Sequence, residues 1–141
     1  MPIVHNLFSF EGRMRRRDFW ISMLIILVAS WILRAIIGLA FGPMYYAGAA
    51  GGVPMMQMAA MSGMWTGLGI VWLILLWPWL AVAVKRAHDR GKSGIWVLLA
   101  FIPILGWLWC LIDLGILEGT PGPNEYGPSP KDLGSASGIP A

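Results

Sequence analysis

The chain has 141 residues, about one domain's worth, of which 57% are hydrophobic and only 12% charged, with a mean hydropathy of +0.68. Soluble domains carry about 25% charged residues, so this composition excludes a disordered tail and disfavours a soluble enzyme; nine Trp and nine Met suit a chain partly solvated by lipid. A single cysteine, Cys110, rules out an intrachain disulfide or a cysteine-based zinc site, and a net charge of +3 says less than the positions of the charges.

Residues 1–18 form a basic segment carrying Arg13, Arg15, Arg16 and Arg17. Residues 19–41 follow with one charge, Arg34, and read as a first transmembrane helix. Residues 42–64 are uncharged and rich in Gly, Ala, Met and Pro, and are expected as an outer loop, partly re-entrant at most. Residues 65–84 carry no charge and predict a second transmembrane helix; residues 85–94 form a basic loop with Lys85, Arg86, Arg90 and Lys92. Residues 95–117, with Asp113 as their one charge, predict a third, and residues 118–141 form a tail dense in Gly, Pro and Ser. Apolar residues surround each span on all sides, as lipid requires.

Loops rich in Lys and Arg stay in the cytoplasm. The two basic blocks must then share the inner side, and two crossings between them satisfy that. The expected fold is an all-α integral membrane protein with three transmembrane helices, its N-terminus inside and its C-terminus outside. A cleaved leader is the alternative for the first span, but that span exceeds the 7–15 apolar residues of such signals and Arg34 interrupts it.

The loop crowds Arg86, His88, Asp89, Arg90, Lys92 and Ser93 together and ends in Gly91 and Gly94. His88 titrates near neutral pH, Asp89 is placed to orient it, and the cations suit a phosphate-bearing ligand; the simpler reading is a connector that fixes topology. With Arg13 and Arg16 this defines a candidate polar, lipid-facing site. Eight cations against Glu11, Asp18 and Asp89 on the inner side call for anionic phospholipid headgroups, at about 1 kcal/mol per Lys or Arg. A membrane-protein partner or a second copy of the chain is the other kind of partner open to it. Nucleic acid is not expected, because no binding fold accompanies the charge.

Arg34 and Asp113 are the charges inside spans. Counted along straight helices from the inner face they reach similar depths, about 25 and 28 Å, so they form a candidate interhelical ion pair; the alternative is that each snorkels separately to the outer interface. Trp20, Trp65, Trp79 and Trp96 fall near span ends as interfacial anchors, whereas Trp31, Trp72, Trp107 and Trp109 are expected to pack. Pro78 and Pro103 should kink their spans. The methionines of residues 55–64 lack a Cys or His beside them, so no metal is assigned, and no motif of a known catalytic centre or cofactor site occurs.

Three blocks resemble a known family. They are Phe8-Ser9-Phe10-Glu11-Gly12-Arg13 with Arg16 and Phe19-Trp20; Arg86-x-His88-Asp89-x-Gly91-Lys92-Ser93-Gly94-x-Trp96; and Gly119 through Asn124-x-Tyr126-Gly127-Pro128. Together they look like the bacterial inner-membrane family known as domain of unknown function 805. The resemblance implies a multi-pass protein of the bacterial cytoplasmic membrane and supplies no reaction. Where the family usually has an acidic residue between two prolines, this chain has Ser129. The expected function is a non-enzymatic interaction or envelope-associated module engaging anionic lipid or a partner at its basic face. The alternative is a small-solute or proton transporter, or a membrane enzyme, using His88 and Asp89.

Overall fold

The computed structural model describes residues 7–132, which are helical except for turns and the tail, with no strand among them. Helix α1 runs Arg16–Ala50 and helix α2 runs Pro54–Asp89, and both are long and apolar enough to cross a membrane. At about 1.5 Å per residue each extends about 50 Å, well beyond a hydrocarbon core of about 30 Å. Pro54 opens α2 at the first helical position, where its missing N–H would have had no partner in any case, and Arg86 stands in the last turn beside the carbonyl end.

Residues 42–64, expected as a loop, are helical on both sides of a tight turn at Gly51 to Val53. There the Gly51 and Val53 N–H groups donate to Ala47 and Gly48 carbonyls, each at 2.9 Å. Ala and Met are strong helix formers, and lipid-facing helices tolerate the Gly and Pro that signal a loop in water; Pro43 lies inside α1.

Residues 95–117 do not make one helix either. They wind as a 3-10 helix over Gly94–Phe101, break, resume as the short helix α3 at Leu105–Trp109, and widen to a π-helix at Cys110–Ile116. The break has its cause in Pro103, which pushes Ile102 into extended backbone at φ −82°, ψ 116°. Ile104 then takes φ 66°, ψ −65°, and the Leu105 N–H donates to the Pro103 carbonyl at 2.8 Å: a γ-turn in its rare, strained form. The chain reverses here. A Cβ at Gly106 would lie 1.8 Å from the Leu99 carbonyl oxygen, so only glycine lets the returning limb press so close to the outgoing one. The third apolar segment is therefore a helical hairpin, which corrects the expectation of a continuous helix.

The described chain divides into two compact units, residues 7–24 with 78–132, and residues 25–77. The second is an apolar pair of antiparallel helical limbs; Trp31, Leu39, Met55, Trp65 and Leu73 lie exposed on it, and Ala60 and Val71 are buried. Trp31, Trp72 and Trp107 were expected to pack and are instead exposed. The first unit buries Met14, Phe19, Val82, Ala87, Val97 and Leu114 around a set of charged side chains.

Candidate functional site

Asp89, at the end of α2, receives two guanidiniums. Arg13 Nε donates to its Oδ1 at 3.0 Å, and Arg86 to its Oδ2. All three side chains are buried. The remaining donors of Arg13 go to the tail: one terminal nitrogen to the Gly122 carbonyl at 2.6 Å, the other to the Thr120 carbonyl at 2.6 Å. The Asp89 backbone carbonyl in turn accepts from the Thr120 N–H at 2.8 Å. A Cβ at Gly119 would fall 2.0 Å from Asp89 Oδ2, so the tail lies flat on that carboxylate only because residue 119 has no side chain. Buried charges are tolerable when paired and hydrogen-bonded; Arg86 reaches Asp89 from the preceding turn of α2, whereas Arg13 and the tail come from distant parts of the chain.

Helix ends leave carbonyls without partners, and the end of the hairpin is completed by arginines from elsewhere. Arg86 donates to the carbonyls of Leu114, at 2.7 Å, and Leu117; Arg16 donates to Ile116 at 3.0 Å, and Arg90 to Glu118. Cations at the negative end of a helix are electrostatically favoured as well. The Trp20 indole adds a bond to the Gly115 carbonyl at 3.2 Å.

The tail docks further through His88. Its ring stacks on Tyr126 with centroids 3.9 Å apart and planes 3° from parallel, and Asn124 Nδ2 donates to the His88 carbonyl at 2.9 Å. Burial holds the His88 imidazole below its ordinary pKa, against the opposing pulls of the Gly12 backbone and the Glu125 carboxylate. The tail was expected on the opposite side of the membrane from the basic blocks. It is bonded to both of them, and hydrogen bonds do not reach across a bilayer.

The residues singled out in the sequence thus separate. Arg13, Arg86, Asp89 and, through its stack, His88 form one clasp, in which both carboxylate oxygens of Asp89 are taken up by guanidiniums. Asp113 does not take Arg34 as its partner. Its Oδ1 accepts from Lys92 Nζ at 2.7 Å and lies 3.5 Å from Arg90, because the hairpin returns it to the basic loop rather than carrying it to the far leaflet. The Lys92 ammonium also lies 5.6 Å from the ring centres of both Trp96 and Trp109. Arg34 is exposed on α1, without an ion pair among the described residues, and Ser93 is exposed ahead of the 3-10 helix without capping it through its side chain. Arg16 remains on the surface, where it pairs with Glu118 at 2.6 Å. Beside the clasp is a cleft of about 610 Å³ lined by Arg15, Arg16, Arg17, Glu118, Ser129 and Lys131 together with Arg13, Arg86 and Asp89. Sequence reasoning missed Thr120, Asn124 and Tyr126 as the tail's anchors; their signal was the third block of the resemblance, read there only as a turn-rich stretch.

Comparison with known proteins matches the stretch that contains all three blocks. The family model described as "Protein of unknown function (DUF805)" matches residues 7–128. The chain is 32% identical to the inner membrane protein YhaH of Escherichia coli K12 over 131 residues, covering 93% of this chain and 94% of the relative. It is 32% identical to the inner membrane protein YhaI of the same organism, covering 93% of each. To the uncharacterized protein YiiR of that strain it is 34% identical, covering 94% of this chain and 93% of the relative. No solved structure matches. With all three blocks present, and folded onto one another around Asp89, the chain belongs to the DUF805 family.

Proposed function

We propose that this protein is a non-enzymatic module of the bacterial inner membrane that crosses it twice, through α1 and α2, and presents a basic cap to cytoplasmic anionic headgroups. The inner-membrane names of the relatives and the two long apolar helices support the location. Every Lys and Arg except Arg34 belongs to the unit of residues 7–24 and 78–132, which the preference of cations for the cytoplasm puts inside. The observation that carries the reading is Arg13: one side chain from the first basic block bonds Asp89 beside the second and the tail as well. Both ends of the described chain are then cytoplasmic. The hairpin, with Leu98, Phe101, Ile104, Leu105 and Trp107 exposed, enters the lipid from that side and returns.

Reporter fusions at each terminus and in the turn after Gly52, read in intact cells, test the topology. Both termini should report from the cytosol and the turn from outside; a C-terminus reporting from outside overturns it. Phospholipids retained through gentle extraction test the headgroup reading. The ratio of phosphatidylglycerol to phosphatidylethanolamine should fall when Arg15, Arg16 and Arg17 are replaced by Gln, and an unchanged ratio overturns it.

A further inference from the structure

Three arginines occupy a place where a helix wants the opposite charge. Arg15, Arg16 and Arg17 surround the first turn of α1, whose unpaired N–H groups and dipole already carry positive potential, and Asp18 is the only acid in that turn. Arg17 is 67% exposed and, among the described residues, reaches only Asp18, loosely, at 3.7 Å. The three side chains line the 610 Å³ cleft, which counts six cationic side chains against three carboxylates. One of those carboxylates is Glu118. It lies 2.6 Å from Arg16 and 3.9 Å from Lys131, and it is 64% exposed, so it fills the mouth of a cationic cleft without being built into the core.

We propose that this cleft binds a phosphate group, held by the guanidiniums of Arg16 and Arg17, and that Glu118 is its internal competitor. Guanidinium forks match phosphate oxygens in pairs, and a phosphate presents more charge and more acceptors than one carboxylate. An exposed ion pair such as Arg16 with Glu118 is weak enough to be displaced. The cleft is larger than phosphate alone requires, so the phosphate of a lipid headgroup and a free phosphate share the same chemistry here. The proposal rests on the reading of the cap as a headgroup-facing surface, and sharpens it to one site.

The test uses the full chain in an uncharged detergent, titrated separately with inorganic phosphate and with micellar short-chain phosphatidylglycerol, with short-chain phosphatidylcholine as the control. Binding of either anionic probe is expected. Glu118→Gln should tighten it about two- to fivefold, as expected from removing a weak exposed pair. Arg17→Gln should weaken it about tenfold. Arg16→Gln should do the same, but Arg16 also completes the hairpin end, so the decisive variants are Glu118→Gln, whose effect is a gain that misfolding cannot produce, and Arg17→Gln, whose side chain pairs only with Asp18 among the described residues. Phosphatidylglycerol alone binding would assign a headgroup, and inorganic phosphate alone a soluble ligand. No binding of either, or binding indifferent to both decisive variants, overturns the site. If that happens while the retained-lipid ratio still responds to the arginines, the site falls and the headgroup reading stands; phosphate binding with an unresponsive ratio gives the reverse.

Discussion

The two units of this chain solve the same problem with opposite materials. Residues 25–77 contain a single charged residue, Arg34, and expose large apolar side chains to the surroundings. The other unit holds the remaining charges and turns several of them inward, with Arg13, Lys85, Arg86, Asp89 and Asp113 all buried. Lipid removes the hydrophobic drive between helices, so the apolar unit depends on close packing and on its solvent. The charged unit depends on specific donors meeting specific acceptors, and a single deletion there strands its partners.

The largest effect should therefore come from Asp89→Ala. It leaves two buried guanidiniums without their carboxylate, and unfolding followed by tryptophan fluorescence in detergent should show a loss of about 3–5 kcal/mol. Arg34→Leu is the matching change in the apolar unit and should stay within about 0.5 kcal/mol of the parent. Equal losses at the two positions would erase the contrast between the units. Gly119→Ala comes next: its methyl would meet the Asp89 carboxylate, and the cost should be about 1–3 kcal/mol, with faster hydrogen exchange confined to the tail. Ile104→Gly should act in the opposite direction, raising stability by about 1 kcal/mol, because glycine adopts the left-handed φ of 66° without strain.

The smallest effect concerns pH. Burial depresses the His88 pKa, so protonation favours the undocked tail: the His88 contribution is complete above the ordinary histidine range and is lost as pH falls through the depressed value. Hydrogen exchange across residues 119–127 should accelerate on acidification below the ordinary histidine range, and His88→Phe, which keeps a ring against Tyr126, should remove that dependence.

Hydropathy made the apolar helices legible, the blocks around Arg13 and Asp89 were visible as runs of charge, and the block around Asn124 was visible only as a turn-rich stretch. What could not be read was which residues meet. Arg13 and Asp89 are 76 positions apart, and periodicity contains nothing about contacts at that range. Asp113 was misplaced for a specific reason: counting depth assumes a straight helix, and Pro103 with Ile104 breaks that assumption ten residues before it. The expectation of an outer loop at residues 42–64 rests on the charges, because a further crossing would put Lys85 to Lys92 outside; that count of charges says nothing about local conformation, and Gly and Pro are compatible with helix when lipid is the solvent.

The arginine-completed end of the hairpin also bears on the order in which the protein comes together. Arg16, Arg86 and Arg90 leave the ribosome before the carbonyls of residues 114–118 that they serve. The socket is thus made before the plug. A nascent chain halted after Lys92 would hold those guanidiniums without their acceptors, so final assembly awaits the last stretch of translation, when the returning limb finds its partners already in place.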